Sequence, residues 1–351
     1  MAEPNSEKLF GLTYPIIQAP MAGTATPALA AAVTNAGGLG SIGIANSTAE
    51  GARQMIEEVR ARTSGLFNVN VFCHQPARRD AEREAGWLEH LRPFFEEFDA
   101  EPPKQLREIN RSFLADEEVF RMLLEARPPI VSFHFGLPPD HQLAALREAG
   151  IKTMATATDL EDAMRIESAG IDVVIAQGIE AGGHRGVFSL EKQDQALPTS
   201  VLVNLLRHKL RIPVVAAGGI MNGKSISSVL ELGAAAAQLG TAFVLCPESA
   251  ADENYRAALQ SERAYDTRLT TAISGRPARG LTNRLARAGD GAMSSRIPDY
   301  PVAYDAGKAL HAAASARGNT DFAAHWAGQG APLARPMPAA ALVEQLVREM
   351  A

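Results

Sequence analysis

Eight short apolar runs recur along this chain, with helix-like stretches between them, and no other feature constrains the fold as strongly. They are PIIQAP (15–20), GLGSIG (38–43), LFNVNVF (66–72), PIVSFHFG (129–136), IKTMATAT (151–158), DVVIAQG (172–178), PVVAAGG (213–219) and AAQLGTAFV (236–244). Rich in Val, Ile and Ala, they do not alternate with polar residues. Strands of a parallel sheet covered on both faces read this way. The intervening patterns HQLAALREAG, LEDAMRIESAG and GKSISSVLELG each close on Gly, as a helix C-cap does. Eight strand–helix units predict an α/β fold, a (β/α)8 TIM barrel. A doubly wound sheet is the competing architecture, but it would not need eight strands.

Two regions exceed a minimal barrel. Residues 76–125 are charged and amphipathic and predict a helical insertion after the third strand. The tail from about 250 is also read as helical, with turn clusters at GRP, RIPDYP and GQGAPLARP. The expected division is a barrel of residues 1–75 and 126–249, with 76–125 and 250–351 packed together as a smaller helical lid domain.

The chain has 351 residues and a formal net charge of -6, with Arg and Lys scattered, so neither nucleic acid nor an anionic membrane is expected as a partner. The one dense basic stretch, Arg276 to Arg287, could bind an anion but is read first as a solvated helix face. Cys73 and Cys246 lie in apolar runs and are expected as reduced, buried thiols. MAEPNSEKLF lacks the basic and apolar segments of a signal peptide, and no apolar run approaches bilayer length. A cytoplasmic protein is expected.

In such a barrel ligands bind at the C-terminal ends of the strands. There Gly218-Gly219 and Gly240-Thr241 each sit between a strand and a following helix, where backbone N–H groups can cradle a phosphate. Asn70 and Gln177 are amides in apolar strands and need partners, either a planar heterocycle or neighbouring backbone. Met21 in PMAG suits a flat ring or the core. His184 follows Gly182-Gly183 and precedes Arg185, and is the leading candidate for a reacting group. His134 is second and His74 a weaker third. No ligand set for a metal surrounds them, Glu180 being a single acid, and neither a GxSxG elbow nor a P-loop is present.

Taken in order, QAPMAG, GGLGSIG, FNVNVFCH, QGIEAGGHRG, PVVAAGGI and QLGTAF resemble class I nitronate monooxygenase, formerly 2-nitropropane dioxygenase. The resemblance spans residues 11 to 245 and continues more weakly in SGRPARGLTNR and WAGQGAPLAR. It implies non-covalent FMN and oxidation of alkyl nitronates by molecular oxygen through a flavosemiquinone, with propionate 3-nitronate the expected substrate and nitroalkanes as others. By the same resemblance Met21, Ala22 and Gly23 lie against the isoalloxazine, and Asn70 and Gln177 bond the flavin or its ribityl chain. Gly182, Gly218, Gly219 and the run Gln238, Leu239, Gly240, Thr241 hold ribityl and phosphate. His184, with His134, sits at the substrate, as hydrogen-bond donor or as base. Small-molecule nitronate and O2 are then the partners, and the chain a monomer or homodimer. The competing function on the same barrel is an NAD(P)H-dependent FMN reductase acting on quinones or enoyl thioesters. Families that need a Cys or Ser in the active-site loop are disfavoured, because the loop after the sixth run offers His184 and no Cys. A non-catalytic flavin-binding module is the reading from outside enzymology.

Overall fold

The computed structural model describes residues 9–351, so the N-terminal stretch read above for a leader lies, up to residue 8, outside the described residues. Its strands are β1 (Ile16–Gln18), β2 (Gly40–Gly43), β3 (Phe67–Phe72), β4 (Ile130–His134), β5 (Lys152–Ala157), β6 (Val173–Gln177), β7 (Gly183–His184), β8 (Val214–Ala217), β9 (Ala236–Leu239), β10 (Thr267–Thr270) and β11 (Ala278–Leu281). Eight of them form one parallel sheet in the order β1-β9-β8-β6-β5-β4-β3-β2. Leu39, just before β2, donates to Ile16 O at 2.9 Å and accepts from Gln18 N at 2.9 Å. Those two bonds join the ends of the sheet into a barrel.

The unbroken apolar runs are explained by two-sided burial. Along β6, Val173 and Ile175 face the barrel interior with Ile17, Met154 and Val215, while Val174 and Ala176 face the surrounding helices. Leu9 and Leu12 join the interior cluster.

The helices are α1 (Pro27–Asn35), α2 (Ala49–Arg62), α3 (Ala81–Glu96), α4 (Glu117–Ala126), α5 (Asp140–Glu148), α6 (Leu160–Ser168), α7 (Thr199–Lys209), α8 (Gly223–Glu231), α9 (Glu253–Leu259), α10 (Arg284–Ala288), α11 (Val302–Ser315) and α12 (Ala339–Met350). Polar side chains start several of them: Thr26, Asp159 and Asn222 each accept from a backbone N–H in the first turn.

Three expectations change. The insertion is shorter than 76–125, because α4 buries Val119, Met122 and Leu123 in the barrel core. The tail is not one lid unit, because α12 buries Ala339, Leu342, Val343 and Leu346 there and packs on α1 and α8. It is the barrel's eighth helix, reached after a long excursion from β9. Nor is the tail wholly helical: β10 and β11 form an antiparallel sheet with β7. Between these segments a second core joins Trp87, Leu91 and Phe95 of α3 to Ile273, Leu285, Leu310 and Phe322. No helix among the described residues is long and apolar enough to cross a membrane.

Candidate active site

The C-terminal ends of the barrel strands open into one cavity, walled on its far side by residues of the excursion after β9. Met21, Ala22, Asn70, His134, Gln177, Gly182, His184, Gly218, Gly219, Gln238, Gly240 and Thr241 all line it. Three anticipated residues do not. His74 is buried behind the lining, its ring 4.9 Å from that of Tyr300. Leu239 turns its side chain into the core, and Gly23 serves the backbone at φ +81°.

His184 is held by strand pairing rather than by a free loop. Ala278 of β11 lies opposite it, and Arg279 opposite Gly183. Gly182 permits a further close approach, by the 327–328 segment, because a Cβ there would lie 2.5 Å from Gly328 N. Gln177 ties the same loop to β6. Its Nε2 donates to His184 O at 3.0 Å, and its Oε1 accepts from Gly186 N at 2.8 Å. Asn70 Nδ2 likewise donates within the protein, to Ser132 Oγ at 2.9 Å and Ser132 O at 3.1 Å. Two cavity-lining amides keep a buried, unpartnered oxygen: Gln238 through Oε1 and Asn110 through Oδ1.

Arg185 turns away from the cavity. Fully buried, it forms a two-pronged pair with Asp194 at 2.7 and 2.9 Å and donates to Gln177 O and Gly178 O. The basic stretch is not a solvated face either. Arg276 and Arg279 are buried because the turn before β11 and β11 itself pack beside the cavity, whereas Arg284 and Arg287 pair with Glu97 and Asp266. Glu180 accepts from Thr199 N and Oγ1, capping α7. Among the described residues no group of His, Cys, Asp and Glu is placed to hold a metal.

His184 Nε2 lies 2.8 Å from Ser274 Oγ, and Ser274 Oγ in turn donates to Arg276 O at 3.2 Å. With the Ser274 hydroxyl donating to Arg276 O, the hydrogen of His184 sits on Nε2 and Nδ1 is left for a ligand. If the Ser274 hydroxyl rotates to donate to Nε2 instead, Nδ1 carries the hydrogen. His134 Nε2 donates to His184 O at 3.1 Å. Burial depresses His184 to about 3, with the charges of His134, Arg276 and His74 adding to it. Burial also lowers His134 and His74 to about 4. Tyr300 and Tyr304 are pushed upward by burial, so both stay neutral O–H donors. Their rings lie 5.4 and 6.3 Å from that of His184, and Trp326 lies 5.1 Å from it.

Sequence reasoning missed Ser274, Tyr300, Tyr304, Lys308 and Trp326. One signal was readable: Tyr304 and Lys308 are spaced by four, which stacks them on one face of α11, and Tyr300 lies four residues earlier in the turn before that helix. Lys308 Nζ sits 4.9 Å over the Tyr304 ring and is, among the described residues, the only formally charged side chain in the lining, which among them has no Asp or Glu.

A stability prediction follows from the three imidazoles. Each must gain a proton on unfolding below its ordinary value of about 6.5 but resists it when folded. Their contribution is therefore complete above pH 6.5 and is lost as pH falls toward 4, by up to about 1.4 kcal/mol per pH unit for each. Denaturant unfolding at pH 7 and pH 5 should show that fall, and His74→Asn should make it shallower. A pH-independent unfolding free energy between those values would contradict the burial of the cluster.

Comparison with known proteins places the chain. The family model "Nitronate monooxygenase" matches residues 3–349. A nitronate monooxygenase of Pseudomonas aeruginosa is 57% identical over 343 residues, covering 98% of each chain. One from Paraburkholderia phytofirmans is 55% identical, over 97% of this chain and 93% of the other. Among solved structures, nitroalkane oxidase from Streptomyces ansochromogenes superposes with a TM-score of 0.87 at 40% identity, covering 97% of this chain and 96% of that one. FabK from Thermotoga maritima superposes at 0.73 with 29% identity, covering 97% and 93%. With nearly its whole length matched, the chain belongs to the nitronate monooxygenase family, a family of oxidoreductases.

Proposed function

We propose that the protein oxidises alkyl nitronates, with FMN as its cofactor and molecular oxygen as the electron acceptor. The observation that carries this reading is the acid-free cavity at the strand ends, which sets two neutral imidazoles, two tyrosine hydroxyls and one ammonium around a space suited to a small anion. The donor set also fits the cofactor. Gly218 and Gly219 turn through φ +120° and +71°, bringing backbone rather than side chains to the surface beside Gly240 and Thr241. Gln238 Oε1 offers a buried acceptor without a partner. In this reading Gly218, Gly219, Gly240 and Thr241 hold the phosphate, Gln238 and Asn70 the polar chain or ring edge, and Met21 and Ala22 the ring. The barrel carries the cofactor, and the second core supplies the substrate's far wall.

FMN, when bound, would supply the redox chemistry between nitronate and oxygen. The chain's residues bind and orient. With its hydrogen on Nδ1, His184 donates to a nitronate oxygen, where the anion's charge sits. With the hydrogen on Nε2, Nδ1 keeps its lone pair and can accept the α-proton of a neutral nitroalkane. The Ser274 hydroxyl serves either state. Asn110 donates to Tyr300 Oη at 3.1 Å, leaving the phenolic hydrogen free for substrate.

The test is direct. Purified protein should be yellow and release FMN on heating, identified by chromatography, and should consume oxygen with pre-formed propionate 3-nitronate. FAD, absence of flavin, or no oxygen uptake would refute the reading. Rapid anaerobic bleaching by NADH or NADPH would favour the reductase instead.

Gly219→Val should weaken FMN binding by about tenfold or more. Its Cβ would crowd Glu180 Cβ at 3.3 Å and cover the backbone that faces the phosphate. Gly150→Ala, at a similar φ of +77° in open space, controls for backbone strain alone. Flavin titration of both apoproteins compares them. If Gly219→Val binds FMN as tightly as Gly150→Ala does, the phosphate assignment is wrong.

A further inference from the structure

Arg276 is 4% exposed and has no carboxylate within salt-bridge distance among the described residues. Its Nη2 donates to Val187 O, its Nε is buried without a partner, and its guanidinium lies 4.2 Å over the Phe135 ring. A buried charge without a counter-ion is costly and calls for a reason. The cation–π contact offsets part of that cost. Phe135 is itself held at φ 74°, a strained conformation for a non-glycine residue. The ring of Phe135 stands 4.5 Å from His134, 5.6 Å from His184 and 6.3 Å from His74. The guanidinium thus lies directly behind the histidine wall of the cavity. The same turn places Ser274 on His184.

We propose that Arg276 is a positioning residue for the anionic substrate: from behind Phe135 its charge makes the His134–His184 wall electropositive and holds a nitronate there without touching it. This rests on nitronate oxidation as the function. The neighbouring charges agree with it. Arg276 is among the causes that lower His74, His134 and His184. Burial lowers Arg276 itself, but only to about 10, so it stays charged at neutral pH. From α11 and the turn before it come Tyr300 and Tyr304, both neutral, and Lys308, which is exposed. Arg185 also bears on His134, but Asp194 pairs with it. No carboxylate in the lining cancels the potential.

The experiment compares wild type with R276M, R276Q and R276K. R276Q retains a donor for Val187 O and serves as the neutral variant if R276M does not fold. Steady-state kinetics with a pre-formed nitronate read KM and kcat separately. NMR titration of the imidazoles, without substrate, reads the potential independently of turnover. The neutral variants should raise KM about tenfold or more, the scale of one charge acting through an effective dielectric of about 20, with little change in kcat. Their imidazoles should titrate at higher pH than in wild type, and R276K should restore both. An unchanged KM and unchanged titrations in active R276Q would overturn the proposal. So would R276K as impaired as R276Q, since packing alone would then explain the loss. If wild type oxidises no nitronate, the functional reading fails separately. The titrations still decide the charge assignment: no shift in R276Q overturns it, and an upward shift that R276K reverses supports it.

Discussion

Replacing His184 with Asn is expected to cut nitronate turnover by roughly ten- to a hundredfold and nitroalkane turnover by more, while the protein stays folded and keeps its cofactor. The fold survives because the backbone of this residue, not its ring, fastens the loop: its carbonyl accepts from Gln177 and His134, and β7 pairs with β11. A pre-formed nitronate needs no deprotonation, so it loses one hydrogen bond to a charged group, about 1.5–3 kcal/mol. A neutral nitroalkane also loses its base, worth roughly 100- to 10,000-fold. Burial sets the starting levels. An imidazole depressed to about 3 keeps its lone pair available wherever the protein is folded, but it is a weak base there. Wild type should therefore favour nitronates over nitroalkanes. An approaching anion raises the proton affinity of the ring and strengthens its hydrogen bond. Oxygen uptake with both substrates across pH, on variant protein of measured flavin content, checks this. Equal losses on both substrates would leave His184 as an anion anchor only. Undiminished turnover would remove it from the reaction and make His134 the next residue to change.

The barrel was legible because its signal is local. Each strand is an apolar run whose two faces are both buried, as Val173–Gln177 illustrates, and α1, α5, α6 and α8 each stop at a positive-φ glycine, Gly37, Gly150, Gly170 and Gly233. Most residues anticipated at the strand ends line one cavity for the same reason: position at a strand's C-terminus fixes where a side chain opens. What could not be read depends on pairings far apart in sequence. Gly183–His184 has no strand periodicity, and only β11, more than ninety residues on, makes it one. The helix that completes the last barrel unit begins a hundred residues after its strand. Amides are a similar case. Gln177 and Gln238 look alike in the sequence, and only what lies across from each decides that the first is engaged at both ends and the second is left with an open acceptor. The arginines of 276–287 look like one patch, but two of them are buried by a sheet that composition does not announce.

Arg185 shows how the loop that opens the site is held from behind, and Arg185→Met should produce the largest stability change among these variants. The guanidinium is wholly enclosed and satisfies three partners at once: the Asp194 carboxylate, Gln177 O and Gly178 O. Met can fill the volume but donates nothing. Asp194, 22% exposed at its side chain, can recover water, whereas the carbonyls at the end of β6 are left without this donor. Removing one partner of a buried ion pair typically costs about 3–5 kcal/mol, and the partial exposure of Asp194 places the expected loss toward the lower end. Arg185→Lys should recover part of it, because an ammonium can keep the charge but cannot span a carboxylate and two carbonyls with a planar fork. Activity should fall with stability in the Met variant, since His184 adjoins this residue and loses the anchor that sets its loop. Denaturant unfolding measures the first effect, and kcat at a temperature where the variant is fully folded measures the second. A Met variant within about 0.5 kcal/mol of wild type would mean that the loop is held by β7–β11 pairing alone.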